Sequence, residues 1–429
     1  MRLLVIGSGG REHALVRTLA REPGVSVACT PGNAGIAGDA RLFPIDSGAV
    51  DELCALADRE SFDLTVVGPE LPLDLGLVDR FRDRGHRIFG PSRAAAQLEC
   101  SKSFAKAFMT RHGVPTARFR VCDSAAAAHQ VIARGELGLP VVIKADGLAA
   151  GKGVVVAADC VEAEAAIRAA MEDRQFGHAG ARIVIEECLS GPEVSFFAVC
   201  DGRHAIPLGS AQDHKRAFDD DRGPNTGGMG AFAPSPLMDA ALQSRVMREV
   251  VEPVVNGMRQ EGHEYCGFLY VGLMLTCDGP KVIEFNVRFG DPEAQVVLPL
   301  LETNLAALLA SAADGDLELQ AVTAGAGVAV GVVLASGGYP GSVKTGAPIR
   351  GIDVASRIPG VDVFHAATAR RGDDFVTAGG RVLTVVGRGP TFDRAIALAY
   401  EGVAQISFDA MHYRRDIGLK AKPAFADNR

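Results

Sequence analysis

No apolar run in this chain of 429 residues approaches the ~20 residues that a membrane-spanning helix requires. Basic residues are not in surplus either: 44 Lys and Arg stand against 52 Asp and Glu, a net charge of −8. That balance argues against a nucleic-acid or anionic-membrane partner, although local Lys and Arg can still hold anionic substrates. Nine cysteines are scattered with none in CxxC spacing, so they read as reduced, mostly buried thiols of a cytoplasmic protein. No signal-peptide pattern precedes the first strand at Leu3–Ile6, and internal repeats, low-complexity tracts and heptads are missing. What the chain does have is length and hydrophobic content. Its 48% hydrophobic residues can fill several cores, and 429 residues predict two to four domains.

The first hundred residues alternate strand and helix: Arg2–Ile6, then a helix over Arg11–Arg21, then strands at Val25–Cys29, Leu64–Val67 and Ile88–Phe89. Such alternation predicts a parallel, doubly wound sheet with its binding edge at the strand C-termini. A helix is expected over about Cys100–His112. Short β-branched strands follow at Val141–Lys144, Val154–Val156 and Ile183–Ile185, around one helix at Cys160–Arg174, compact enough for a lid. From about Glu193 to Ala313 runs the main body. After a small-residue linker near Ala321–Gly327 comes a β-rich tail with one helix at Phe392–Tyr400.

The most informative segment is KVIEFNVRFGDPEAQ at Lys281–Gln295. Its period of two puts Glu284, Asn286 and Arg288 on one face and Ile283, Phe285 and Val287 on the other. A carboxylate, an amide oxygen and a guanidinium in a row suit a hard cation on a polyphosphate plus a clamp for a second anion. GSGGREHA at Gly7–Ala14 is a glycine loop between strand and helix, an arrangement that aims N–H groups at a phosphate, with Arg11 assisting. It lacks the third small residue of a dinucleotide fingerprint, because Glu12 stands there. PGNAG at Pro31–Gly35 and GPE at Gly68–Glu70 end the next strands and could line the same crevice.

DGLAAGKGV at Asp146–Val154 superficially resembles a P-loop, but its spacing is wrong and Gly153 replaces the Ser/Thr. It joins two strands, so it reads as a glycine-rich flap over phosphates. Lys144 at the end of an apolar strand needs an anionic partner if buried. IEECLSGPEVS at Ile185–Ser195 is either surface charge or an edge connector whose backbone reads adenine, with Glu193 on the ribose. In QDHKR at Gln212–Arg216, Lys215 and Arg216 are anion binders. His214 has no second His or Cys at ligand spacing, which argues against a metal or base role. GPNTGGMGA at Gly223–Ala231 reads as a loop pressed against a ligand or another backbone. These residues describe an ATP-using carboxylate–amine ligase.

In order along nearly the whole chain, the strings VIGSGGREHAL, TPGNAG, VVIKADGLAAGKGV, QDHKR, GPNTGGMGAF, VIEFNVRFGDPE and LASGGYPG closely resemble those of the phosphoribosylamine–glycine ligases. These are ATP-grasp enzymes of de novo purine synthesis. The resemblance implies an α/β ATP-grasp enzyme. Its parts would be an N-terminal doubly wound domain at 1–101, an ATP-grasp domain at 102–326 with a lid at about 121–191, and a β-rich C-terminal domain at 327–429. Carried over residue by residue, Lys102 and Lys144 would contact ATP, and Lys152 with Gly147, Gly151 and Gly153 would form the loop that closes over it. Glu186, Glu187, Leu189 and Glu193 would surround its nucleoside. Glu284 and Asn286 would bind Mg²⁺ or Mn²⁺, and Glu284 would be the only acidic ligand, because Gly267–Leu275 has no carboxylate. Arg288 and Asp213 would hold glycine, and Gly9, Gly10, Arg11 and Asn33 the phosphate of 5-phosphoribosylamine, with Glu70 and Lys215 nearby. Arg288, Lys152 and Asp213 would be the residues closest to the chemistry. A monomer is expected, with a dimer as the alternative. Ser8 and Ala367 depart from the family pattern outside the chemical motifs. The rival readings are another ATP-grasp ligase, or a nucleotide-binding regulator or oxidoreductase using the first domain.

Overall fold

Continuous apolar runs such as Leu3–Ile6 and Leu64–Val67 need cover on both faces when they form a parallel sheet, and the first hundred residues supply it. The computed structural model describes residues 1–148, 153–317 and 321–422. Its first sheet has five parallel strands in the order Arg41–Leu42, Ser26–Pro31, Arg2–Gly7, Leu64–Val67, Ile88–Phe89. Leu3 and Val5 share a core with Leu15 and Leu19 of helix Gly10–Ala20. Leu4 and Ile6 share the opposite core with Leu53 and Leu56 of helix Val50–Glu60. The sheet is therefore doubly wound. Among its strands only the two-residue edge strand Arg41–Leu42 was unexpected, because a pair that short carries no periodic signal; the helices Val50–Glu60, Glu70–Asp74 and Leu77–Asp83 were not predicted individually.

The lid is a four-stranded antiparallel sheet, ordered Phe119–Cys122, Ile183–Glu187, Val141–Ala145, Val154–Ala157. It carries two helices where one was expected. Cys160–Ile167, continued by the π-helical segment Arg168–Glu172, matches nearly all of the predicted helix, and Ala125–Arg134 is additional. The extra helix begins with four alanines, which favour helix but give little hydrophobic contrast. Ile132, Val141, Ile143, Ala163, Ile167 and Ile185 form a core private to the lid.

The main body and the tail share one eight-stranded sheet. Its order is Gly279–Asn286, Cys266–Thr276, Glu193–Asp201, Ala205–Asp213, Gly230–Ala233, Val328–Ala335, Arg381–Gly389, Val361–His365. The seam is the antiparallel pairing of Gly230–Ala233 with Val328–Ala335, so the β-rich tail continues the body's sheet instead of building its own. The tail helix runs Phe392–Gln405, longer than expected, and a short helix at Ile352–Ser356 adds to it. Gly387 lets the longer helix approach: a Cβ there would lie 2.2 Å from the Ala395 carbonyl oxygen. Among the described residues no helix is long and apolar enough to cross a membrane. All nine cysteines are free, with Cys160 and Cys277 exposed.

Candidate active site

The first domain, lid, body and tail meet at one cavity of about 880 Å³. The strand Gly279–Asn286 forms its floor. The register against Cys266–Thr276 slips at this point: Gly272 faces Glu284, but Leu273 faces Val282, leaving Ile283 as a bulge. The bulge corrects the expected face. Val282, Phe285 and Val287 enter the core, whereas Ile283 joins Glu284, Asn286 and Arg288 on the cavity side. The Ile283 carbonyl accepts a hydrogen bond from Lys144 Nζ at 2.8 Å.

Glu284 lies among cations. Burial alone would push its carboxyl up, but Lys215, Lys144, Lys102 and Arg288 outweigh burial and hold it below the ordinary range. A cluster of four cations around one acid, in a chain of net charge −8, is a local field built for anions. Glu186 was expected beside a nucleoside. Here it is buried, with Oε2 2.8 Å from Lys106 Nζ and Oε1 3.0 Å from Lys144 Nζ. Two ammoniums on one carboxylate leave a positive balance. Burial pulls Lys106 down to about 8, with Glu186 pulling the other way. Lys102 Nζ donates to the Gly147 carbonyl at 2.9 Å. Asp146 accepts from Ser103 N at 3.0 Å and Ser101 Oγ at 3.1 Å, which ties the flap's root to the start of helix Lys102–Arg111. Gly147, Gly153, Glu187 and Leu189 also line the cavity; Gly151 and Lys152 lie outside the described residues. Glu187 is paired with Arg118 at 2.6 Å.

On the body side, Glu193 Oε2 lies 2.5 Å from Lys215 Nζ. Asp213 is pushed up to about 6 by burial, opposed by Lys215. His214 between them faces away from the cavity. It is fully buried, both ring nitrogens lack partners among the described residues, and burial takes its pKa down to about 3, so it is neutral at pH 7. Arg288 touches neither Asp291 nor Glu293. Its Nη2 is 2.9 Å from Glu99 and 3.2 Å from Asn286 Oδ1, and its Nε is 3.3 Å from Glu70. The turn Phe289–Glu293 is braced elsewhere, by Arg381 on the Asp291 carbonyl at 2.7 Å and by Ser195 on Glu293 at 3.2 Å.

The first-domain loop differs most from expectation. Gly9 N donates to Glu12 Oε2 at 2.6 Å, and Arg11 Nε donates to Glu12 Oε1 at 2.5 Å. The glycines make room for that carboxylate: a Cβ on Gly7 or Gly68 would lie 2.4 or 2.2 Å from Glu12 atoms. Glu12, the third residue of the helix, thus takes the N–H of Gly9 at the helix N-terminus, a capping contact. Asn33 is equally occupied. Its Nδ2 donates to Ser8 and His365 carbonyls and its Oδ1 accepts from Gly35 and Ile36. Gly9, Gly10 and Asn33 do not line the cavity; Arg11 and Glu70 do.

Three models of one family, described as phosphoribosylglycinamide synthetase N, ATP-grasp (A) and C domains, match residues 1–99, 100–294 and 329–420. A phosphoribosylamine–glycine ligase of Ralstonia nicotianae is 50% identical over 423 residues, 98% of this chain and 99% of that one. The chain belongs to the phosphoribosylglycinamide synthetase family. A Xylella fastidiosa phosphoribosylamine–glycine ligase is 51% identical, covering 98% of each chain. The crystal structure of that enzyme from Thermotoga maritima superposes with a TM-score of 0.84 at 35% identity, over 97% of this chain and 100% of that one. A Campylobacter jejuni biotin carboxylase shares the ATP-grasp fold at a TM-score of 0.74 and 17% identity, over 100% of this chain and 96% of that one.

Within this family site, sequence reasoning missed Lys106, Glu99 and Arg381. Lys106 is four residues from Lys102 and shares its helix face, a signal that could have been used. Arg381 and Lys420 reach the cavity from the tail, where no local pattern marks them. ATP-grasp enzymes use ATP with divalent cations, and the donors here fit one modestly. Glu284 and Asn286 offer two hard oxygens, and among the described residues no group of three His, Cys, Asp or Glu could hold a metal alone. A cation bound largely through substrate phosphates matches such a donor set.

Proposed function

We propose that this chain joins glycine to 5-phosphoribosylamine, converting ATP to ADP and phosphate and releasing glycinamide ribonucleotide. The observation that carries the reading is the convergence of Lys102, Lys144, Lys215 and Arg288 on Glu284 at one cavity, in a chain about half identical to ligases of that name. A carboxylate is a poor electrophile. Its oxygen attacks the γ-phosphorus, the bond to the β-bridging oxygen breaks, and ADP leaves with glycyl phosphate remaining. The amine of phosphoribosylamine then attacks the carbonyl carbon, phosphate leaves, and the nitrogen gives up a proton.

Lys102, Lys106 and Lys144 neutralise the triphosphate while the transferring group spreads its charge over non-bridging oxygens. Arg288 takes the glycine carboxylate on the edge now facing Glu70, and Asp213, ionised at neutral pH, takes its ammonium. Arg11, with Arg381, faces the phosphate of phosphoribosylamine. Glu187, Leu189 and Glu193 bound the nucleoside. Glu284 and Asn286 would hold Mg²⁺ or Mn²⁺, which would supply charge neutralisation to the triphosphate. The glycine-rich flap including Gly147, Gly151, Lys152 and Gly153 covers the phosphates and limits hydrolysis of the acyl phosphate. Nine free cysteines fit the reducing cytoplasm. The acyl phosphate is testable directly. With hydroxylamine in place of phosphoribosylamine, glycine hydroxamate should accumulate in step with ADP; ADP without hydroxamate contradicts the route.

A further inference from the structure

The strand carrying Glu284 and Asn286 ends at Asn286, one residue before Val287 and two before Arg288. Past that point no sheet ladder orients the backbone. Glu99, on the short helix Gln97–Cys100, takes over that task with both carboxylate oxygens. Its Oε2 accepts the Val287 N–H at 2.7 Å, and its Oε1 lies 2.9 Å from Arg288 Nη2. One carboxylate therefore holds the backbone and the guanidinium of adjacent residues.

The two acids that touch Arg288 are not alike. The Glu99 side chain is 8% exposed and makes the shorter contact; Glu70 is 32% exposed and sits at 3.3 Å. Asn286 Oδ1 and the Phe289 carbonyl take further guanidinium hydrogens at 3.2 Å each. The plane of the guanidinium is thus set from the Glu99 side, and the edge toward Glu70 is the exchangeable one. Burial pushes the Glu99 carboxyl up to about 7 against the pull of Arg288. For packing alone an amide would be the easier choice at such a place.

We propose that Glu99 is a positioning residue for glycine: it locks Arg288 in the orientation that receives the substrate carboxylate, while Glu70 is the contact that glycine displaces. The proposal rests on the ligase reading above and extends it to a residue outside the cation and nucleotide sets. Because the effect passes through Arg288, it should appear in glycine binding and leave nucleotide binding alone.

Glu99→Gln keeps the volume and an acceptor for Val287 N–H but removes the charge opposite Arg288. Losing a charge-assisted contact should raise the KM for glycine by roughly 10-fold or more. The KM for ATP and kcat at saturating glycine should stay within about twofold of wild type. Glu99→Asp keeps the charge but cannot reach both partners, so it should show the same glycine-specific rise. In an Arg288→Lys background, Glu99→Gln should add no more than about twofold, because the partner it orients is gone. Equal proportional losses in both backgrounds overturn the proposal. So does a rise in every KM together with a lower melting temperature, which marks a residue that only holds the fold. Wild-type enzyme without glycine-dependent ADP release overturns the ligase reading itself, and this proposal with it; an unchanged glycine KM in an active Glu99→Gln enzyme overturns the positioning role alone.

Discussion

Glu186 shares its carboxylate between two buried lysines, so Glu186→Gln removes the counter-charge of both at once. Lys106 sits at about 8 where a free lysine sits at 10.5, and holding it protonated at pH 7 already costs about 3 kcal/mol. The contacts at 2.8 and 3.0 Å are buried ion pairs, and Glu186 is the shared counter-charge in both. Removing one member of a buried ion cluster costs about 3–5 kcal/mol, and the variant should lose that much stability at pH 7 without nucleotide. The loss should localise to the lid and helix Lys102–Arg111, and amide hydrogen exchange there reports it without assuming two-state unfolding. Two conditions should restore stability. ATP supplies negative charge to the same lysines, so its stabilising effect should be larger in the variant than in wild type. The second is pH. A lysine whose folded pKa lies below its unfolded value is a burden while protonated, and stability rises with pH above the folded value. Without Glu186 that value falls further, so the deficit should shrink between pH 7 and 9. A variant as protected as wild type at pH 7, or equal gains from ATP in both proteins, would refute this account of the cluster.

Arg288→Lys keeps the charge but loses the fork, and should raise the glycine KM by roughly 10- to 150-fold with ATP affinity unchanged; a uniform loss across substrates with a lower melting temperature defeats the clamp. Glu284→Gln should abolish turnover, since it removes the acidic ligand of the proposed cation site from a floor of lysines; near-normal activity at sub-millimolar Mg²⁺ refutes the assignment. Arg11→Ala should raise the KM for phosphoribosylamine and spare ATP; a comparable loss in ATP affinity contradicts its place at the sugar-phosphate end of the cavity.

Local pattern announced much of this molecule. Leu64–Val67 and Ile88–Phe89 form strands with the expected bounds, and Glu284, Asn286 and Arg288 do share a cavity face. What was illegible depended on partners distant in sequence. The bulge at Ile283 arises from pairing with Cys266–Thr276, and the seam between Gly230–Ala233 and Val328–Ala335 joins segments with the whole C-terminal half of the body between them. At Gly9–Gly10 the sequence reading took Glu12 only as a break in a dinucleotide fingerprint, whereas its carboxylate also accepts the Gly9 N–H, a capping contact that needs the folded turn to be seen. Charge clusters were half legible. Lys144 at the end of an apolar strand required a partner, but that the partner would be Glu186 shared with Lys106 needed the folding of the lid over helix Lys102–Arg111.

The most direct test of the whole account is ADP release by the purified protein with ATP and Mg²⁺ across a panel of carboxylic acids and amines. The account predicts ADP formation that requires glycine, with one glycinamide ribonucleotide made per ADP when phosphoribosylamine is present. No ADP under these conditions, or equal release with formate or bicarbonate in place of glycine, would contradict it.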